Sequence, residues 1–149
     1  MMKLSTKGQY GLRALLDMAI YQGDGHVTLN NIAERQGISE GYLEQLMMPL
    51  KRAGIVKSIR GAQGGYLLTK DPKNVTVGEI IRVLEGPIAP VACVDEENPE
   101  ECERASFCVT RIVWAKVRDS ISGVLDSFSL DDLVQESKKH GDAENMYFI

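Results

Sequence analysis

Three cysteines, Cys93, Cys102 and Cys108, are the only cysteines of the chain, and all lie in its second half. Cysteine thiolates at set spacings hold metal ions and iron–sulfur clusters. The spacing here, C-x8-C-x5-C, lacks the C-x2-C pair of most structural zinc sites, which favours an iron–sulfur cluster over zinc. Because such clusters usually take four protein ligands, something other than a cysteine must complete the site.

The same residues have a simpler interpretation as reduced thiols in an acidic loop, and the spacing alone leaves both open. A disulfide framework is not expected, because the cysteine count is odd and charges at Lys7, Arg13 and Asp17 break the N-terminal stretch, unlike a secretory signal. No uninterrupted apolar run approaches the length of a membrane span. We therefore expect a cytoplasmic protein with no membrane partner.

Charge is distributed unevenly along the 149 residues. Residues 1–70 carry nine Lys or Arg against five Asp or Glu, a net charge of +4, whereas the remainder carries eight against sixteen, a net charge of −8. Phosphate groups bind where the local potential is positive. The first half is therefore compatible with DNA binding, although the whole chain carries −4.

The elements of the first half follow a recognisable order. After a first amphipathic helix, Thr28 is expected to cap a short helix over 29–36, and Gly37 to end it. Ser39 is expected to cap a third helix that reaches about residue 53. A helix, a glycine turn and a second capped helix predict a helix-turn-helix.

A β-hairpin is predicted next. Residues 55–59 alternate like a strand, 61–65 are rich in glycine, and 66–68 return. This order predicts a winged helix, with Arg60 at the base of the wing able to reach a groove or a phosphate. The alternative is an ordinary surface hairpin with a solvated Arg60. A nucleotide-binding loop is excluded, because no Gly-Lys-Ser/Thr ending follows the glycines.

Beyond the wing, Thr76 and Glu79 form the capping box of a fourth helix, which the prolines after it end. A long helix is predicted from about residue 110, with apolar residues at helical spacing. That apolar surface needs a partner, either a second copy of the chain or the helix's own domain. Ser129 is expected to cap a last short helix over about 130–139.

Four segments of the chain resemble the IscR-type family of bacterial winged-helix regulators. They are residues 4–10 (LSTKGQY), 32–39 (IAERQGIS), 42–46 (YLEQL) and 60–68 (RGAQGGYLL). The resemblance runs from about residue 2 to about residue 139. It implies a homodimer joined by a long crossing helix, with a loop of three cluster-binding cysteines before that helix. Cys93, Cys102 and Cys108 match that pattern, which cluster-free relatives devoted to cysteine metabolism lack.

The resemblance does not supply the fourth ligand. A histidine follows the third cysteine by three positions in the iron–sulfur branch, but here Arg111 stands there, and arginine does not lose its proton. A nitric-oxide-sensing branch has an acidic residue early in the first helix, where this chain has Gly8 and Gln9. Glu44 is placed first, because relatives treat this recognition-helix glutamate as a regulatory position. The other candidates are Asp95, the loop glutamates, His26, His140, a small molecule or water.

Eight residues are predicted to contact DNA. They are Ser39, Tyr42 and Gln45 on the recognition helix, Arg60 and Gln63 at the wing, and Thr6, Lys7 and Lys51 at phosphates. Gln45 can pair with adenine in the major groove, and Arg60 can enter a minor groove narrowed by A-T runs. Tyr42 has the alternative of a place in the core.

The predicted fold is mainly α with a small β wing, in the α+β class. Residues 1–86 form the winged helix-turn-helix, 87–109 the cysteine loop, and 110–149 the dimerisation helix and tail. The expected function is regulation of iron–sulfur cluster biogenesis genes by a dimer that binds a double-stranded DNA operator and senses a 2Fe-2S cluster. No enzymatic activity and no small-molecule substrate are expected. The rivals are the same fold responding to nitric oxide or cysteine, an electron carrier, and a zinc-stapled interaction module.

Overall fold

A computed structural model of the chain describes residues 4–23, 25–61, 64–97, 99–100 and 107–148, with side chains as far as residue 141. The described part contains six α-helices, two 3₁₀ turns and one two-stranded antiparallel sheet, so the predicted α+β class is confirmed. The elements are α1 (Thr6–Tyr21), α2 (Leu29–Gln36), α3 (Glu40–Arg52), β1 (Val56–Ile59), β2 (Gly65–Leu68), the turn Pro72–Asn74, α4 (Val77–Glu85), the turn Ala92–Val94, α5 (Arg111–Ser127) and α6 (Leu130–Phe148).

The helix starts are set by side-chain caps that the sequence predicts. Thr28, Ser39 and Thr76 each accept a hydrogen bond from the backbone N–H three residues later, at 3.1, 3.2 and 3.0 Å. These bonds satisfy N–H groups that have no partner within the helix. Gly37 ends α2 in the left-handed conformation, with φ of 66°, as a C-terminal glycine commonly does.

One hydrophobic core holds the winged helix together. Its fully buried members include residues of α1, α2, α3, α4 and β1, and Leu130 at the start of α6 lies in the same cluster with no exposed surface. The chain on either side of Leu130 also pairs with the start of α4. Val77 N donates to Phe128 O at 2.9 Å, and Leu130 N donates to Val75 O at 2.8 Å. The end of α5 and the start of α6 are therefore attached to the winged helix.

The wing is a short hairpin closed against the turn after α1. β1 and β2 pair from Val56 with Leu68 to Ile59 with Gly65. Val27 and Tyr66 exchange two backbone hydrogen bonds of 2.9 Å, which add a bridge beside β2. A Cβ on Gly65 would overlap the Val27 carbonyl oxygen, so this bridge requires glycine.

The two C-terminal helices differ in how well they were predicted. α5 begins at Arg111, as expected. The prediction that the last helix ends near residue 139 is wrong, because α6 continues through Gly141 to Phe148. A single glycine costs a helix only about 1 kcal/mol relative to alanine and does not stop it. Within the described residues, no helix combines the length and apolar character of a membrane span.

Candidate functional site

The exposed face of α3 carries the predicted recognition residues. Leu43, Leu46 and Leu50 are buried, which turns Glu44 and Gln45 toward solvent. Ser39 is also exposed, but its Oγ accepts the capping bond from Tyr42 N. The structure thus leaves Glu44 and Gln45 among the exposed polar side chains on the helix face that a winged helix presents to the major groove.

A cleft of 260 Å³ joins the start of α1 to α3. Lys7, Tyr42, Gln45 and Arg52 line it, together with apolar residues of α3 and α4. Two cations and an amide around one cleft are suited to a DNA phosphate next to a base edge. Sequence reasoning missed Arg52. Its signal was its position seven residues, or about two helical turns, after Gln45, which places both on one side of α3.

Tyr42 contributes both to the core and to this surface. Its ring packs edge-on against Tyr10, with centroids 6.0 Å apart and planes at 90°. Its hydroxyl lies 3.2 Å from Thr6 Oγ1, in a hydrogen bond that either group can donate. Tyr42 therefore ties the recognition helix to the first turn of α1, where Thr6 and Lys7 are exposed.

The remaining predicted DNA contacts lie at the wing and at the end of α3. Arg60 is exposed, and none of the hydrogen bonds or ion pairs found among the described residues involves it. Lys51 is exposed in the last turn of α3. Gln63 lies outside the described residues.

The cysteine segment, which is the described part of residues 87–109, is anchored to α5 by two arginines. Cys93 lies in the turn Ala92–Val94, and Cys108 lies three residues before Arg111, the first residue of α5. Arg111 Nη2 donates to Cys93 O at 3.2 Å, and Arg118 Nη1 donates to Val94 O at 3.1 Å. Arg111 therefore brings the segments of Cys93 and Cys108 together. Cys102 lies outside the described residues.

A cavity of 510 Å³ opens beside these residues, lined by Cys108, both arginines and apolar side chains. Cys93 and Cys108 are half-buried. The Nε–H of Arg111 is buried and has no hydrogen-bond partner within the described part of the chain. An unsatisfied buried donor needs an acceptor. A sulfur-rich anionic group held by the thiolates would supply one, because hydrogen bonds to cluster sulfurs are common in such sites.

The family that the sequence and fold indicate is confirmed by comparison with known proteins. Residues 4–136 match the Rrf2 family, described as "Iron-dependent Transcriptional regulator". This chain belongs to the Rrf2 family. It is a transcriptional regulator by descent, and the predicted membership of the regulators that include the IscR type is thereby confirmed. Rrf2 regulators bind DNA and are typically dimeric.

The relatives of this chain within the Rrf2 family include proteins named CymR and proteins named IscR. The regulator CymR of Bacillus subtilis (strain 168) is 45% identical over 146 residues, which cover 98% of this chain and 99% of CymR. The solved structure of CymR, described as the global cysteine regulator of B. subtilis, has a TM-score of 0.74 at 48% identity and covers 91% of this chain and 98% of its own. The structure of T. potens IscR has a TM-score of 0.75 at 47% identity and covers 93% of this chain and 90% of its own.

The Rrf2 chain places Glu44 and the cysteine segment at different sites. Glu44 lines a cleft of 460 Å³ between α2, α3 and the wing, with Glu40, Asn30 and Tyr66. That cleft shares no lining residue with the cavity beside Cys108. Among the described residues, no group of three or more His, Cys, Asp or Glu side chains could hold a metal ion. Ligation by the three cysteines stays a prediction, and so does ligation by Glu44 or by another residue in addition to them.

An ionic junction fastens the cysteine segment of this Rrf2 chain to α4. Arg82 Nε and Nη2 donate to the two carboxylate oxygens of Glu96 at 2.9 and 3.0 Å. Arg82 Nη1 and Nη2 donate to the two oxygens of Asp126 at 2.6 and 3.0 Å. The hydrogen bonds from Arg82 lower the pKa of Glu96 to about 2, and the carboxylates raise the pKa of Arg82. One guanidinium therefore joins α4, the cysteine segment and the end of α5.

Proposed function

We propose that this Rrf2 chain is a homodimeric, DNA-binding regulator whose three cysteines bind an iron–sulfur cluster of the 2Fe-2S type, and that cluster status controls the expression of cluster-biogenesis genes. The observation that carries the proposal is the position of Arg111. Its Nη2 binds the Cys93 segment, its backbone begins α5 directly after the Cys108 segment, and its buried Nε–H lacks a partner among the described residues.

The DNA-binding part rests on the surface formed by α1, α3 and the wing. Gln45 on α3 and Arg60 on the wing are exposed to solvent, and Lys7 and Arg52 share a cleft beside Gln45. This surface belongs to the half of the chain that carries a net charge of +4. A positive surface around a recognition helix is what operator binding requires.

The dimer part rests on α5. This helix has no buried residue, and Ile112, Val113 and Val124 are 58, 52 and 59% exposed on its outer side. An apolar helix face that is open to water in the single chain is expected to be covered by a partner. A second copy of the same helix covers it symmetrically and places two recognition helices on one DNA duplex.

The cluster-binding part of the proposal takes Cys93, Cys102 and Cys108 as the cysteine ligands of the iron–sulfur cluster. When bound, an iron–sulfur cluster supplies a group that changes oxidation state by single electrons and can be lost. The residues of this chain hold it beside the α5 arginines, where guanidinium groups offset the negative charge of thiolates and sulfide.

The decisive experiment is iron and acid-labile sulfide analysis, with a visible absorption spectrum, on anaerobically isolated protein. We expect about two iron and two sulfide per chain, as in a 2Fe-2S centre. Cys93→Ser and Cys108→Ser are expected to remove both the iron and the colour, whereas Glu136→Gln, an exposed change on α6, leaves them in place. Absence of iron from the unaltered protein would refute the cluster, and zinc without colour would indicate a structural metal.

Glu44 is proposed as the fourth ligand, provided by the partner subunit. The chain offers a matched control, because Glu40 lies one turn earlier on α3 and lines the same cleft. We expect Glu44→Ala to shift the visible spectrum of the cluster and Glu40→Ala to leave it unchanged. Identical spectra for the two variants would remove Glu44 from the ligand set.

A second candidate function is a response to cysteine availability. It is favoured by the similarity to CymR, whose solved structure is described as that of a global cysteine regulator. The two functions are separated by measuring operator affinity with the cluster present, with the cluster removed, and with cysteine added to the cluster-free protein. A change only in the last comparison would favour the cysteine signal.

A further inference from the structure

α4 touches both the cysteine segment and the DNA-binding surface. Arg82 faces Glu96 of the cysteine segment. Three residues later on the same helix, Glu85 Oε1 accepts hydrogen bonds from Ser5 Oγ and, at 2.9 Å, from Gly8 N. One helix of nine residues therefore spans the distance between the two regions.

The contact at Glu85 takes the place of an ordinary helix cap. Ser5 is the N-cap residue of α1, but its side chain makes no capping hydrogen bond within α1. The Glu85 carboxylate instead accepts from the first turn of α1, where a negative charge is favourable. A Cβ on Gly8 would lie 2.8 Å from Glu85 Oε1, so the contact leaves no room for a side chain.

The contact at Arg82 is equally close. Ser122 Oγ and Ile88 N also donate to Glu96, at 2.5 and 3.1 Å, so its carboxylate is held from three directions. At Asp126, the second partner of Arg82, a Cβ on Gly78 would overlap Oδ1. The Arg82–Glu96 pair is only partly exposed, with 25% of the Arg82 side chain and 21% of the Glu96 side chain accessible. Such a bidentate, partly buried arrangement resists sliding of one segment past another.

We propose that α4 couples the cysteine segment to DNA reading, with Arg82 and Glu85 as positioning residues at its two contacts. A change in the cysteine segment moves Glu96, Arg82 carries the displacement into α4, and Glu85 carries it to the first turn of α1. Thr6 and Lys7 lie in that turn, and Thr6 contacts Tyr42 of the recognition helix. The direction of the effect on DNA rests on the proposed function, whereas the mechanical link between the two regions does not.

The link is tested by hydrogen–deuterium exchange on the full chain as isolated. Arg82→Gln is expected to raise amide exchange both in residues 88–97 and in the first turn of α1. Asp126→Asn, which keeps the Glu96 contact, is a milder second variant in case Arg82→Gln does not fold. Glu136→Gln is the control, because it removes one negative charge from an exposed α6 residue whose ion pair is with Lys139 of the same helix. Faster exchange confined to residues 88–97 would overturn the coupling.

The consequence for DNA is tested on the same variants. Affinity for an operator fragment is measured with the cluster bound and after its removal, and iron content is recorded in parallel. In the unaltered protein, we expect the two affinities to differ by roughly 5- to 150-fold. In Arg82→Gln, we expect them to differ by less than about twofold while the iron content stays unchanged. An unchanged ratio in Arg82→Gln would overturn the coupling. Absence of iron from the unaltered protein would refute the proposed function instead and leave the exchange experiment to decide the coupling.

Discussion

Arg35 of α2 binds both carboxylate oxygens of Asp17 of α1, at 2.8 and 2.7 Å, while the Asp17 side chain has no exposed surface. Gln36 donates a third hydrogen bond to the same carboxylate at 3.0 Å. A buried charge is tolerated only where it is paired and fully hydrogen-bonded. The pair therefore fixes the angle between the first two helices of the winged helix.

Arg35→Ala is expected to lower the free energy of unfolding by roughly 3 kcal/mol, because it leaves the Asp17 carboxylate buried with Gln36 as its remaining partner. Urea denaturation followed by circular dichroism measures the change. Lys139→Ala removes a cation from an exposed pair on α6 and is the matched control. A decrease below about 1 kcal/mol would show that water reaches Asp17 when Arg35 is absent.

Arg60→Ala is expected to weaken operator binding by about 1–3 kcal/mol if its guanidinium reads a base edge or a narrow minor groove. The measurement is a titration of labelled operator at moderate salt. Lys57→Ala removes an exposed cation from β1 of the same wing and serves as the control. Equal operator affinities of the two variants would indicate that the hairpin is an ordinary surface hairpin and that Arg60 does not read DNA.

Arg52→Gln is expected to weaken binding to operator and to unrelated DNA alike, because its place beside Lys7 suits a phosphate. The slope of log affinity against log salt should fall by about one unit, because the variant neutralises one phosphate fewer. Lys73→Gln, in the exposed turn after the wing, should leave the slope unchanged. Weaker binding restricted to operator DNA would instead make Arg52 a base-reading residue.

Stability should depend on Glu96 in acid. Its pKa in the folded chain is lowered to about 2 from an ordinary value of 4.5, so the folded state binds fewer protons than the unfolded state between these values. Its contribution is therefore fully present above about pH 4.5 and is lost as the pH falls toward 2. Urea midpoints across this range should fall less steeply for Glu96→Gln than for the unaltered protein. Parallel curves would mean that Glu96 is not paired in solution.

Val113→Glu is expected to convert the proposed dimer to single chains, because a charge placed on the exposed apolar side of α5 opposes burial against a second copy. Size-exclusion chromatography with light scattering gives the mass. Glu136→Ala, an exposed change on α6 instead of α5, should leave the dimer intact. A dimeric Val113→Glu protein would place the interface elsewhere.

The sequence predicted the elements well wherever a local signal was decisive. Thr28, Ser39 and Thr76 mark helix starts through bonds to residues three positions away, and such bonds can be read directly from the chain. Ser5 stands at the N-cap position of α1, but its hydroxyl binds Glu85, eighty residues away. Contacts of that kind follow from tertiary packing and leave no local pattern.

The candidate site was predicted in the same uneven way. The cysteine spacing and the helix-turn-helix order predicted two functional regions. The family membership is confirmed, whereas cluster binding by the cysteines stays a prediction. Arg52 was overlooked because a cation at the end of a helix usually interacts only with the helix dipole. The pairing of Arg82 with Glu96 and Asp126 brings together residues 14 and 44 positions apart, a relationship that only the folded chain reveals.

The backbone pairing of Val75 and Val77 with Leu130 and Phe128 has an evolutionary consequence. Because the end of α5 is secured to the start of α4 by main-chain bonds, the joint between these helices does not depend on the side chains of the segment between them. Insertions, deletions and new ligand types are tolerated best in such a connection. Residues 87–109 can therefore change between relatives while the winged helix and its junction with α5 are inherited intact.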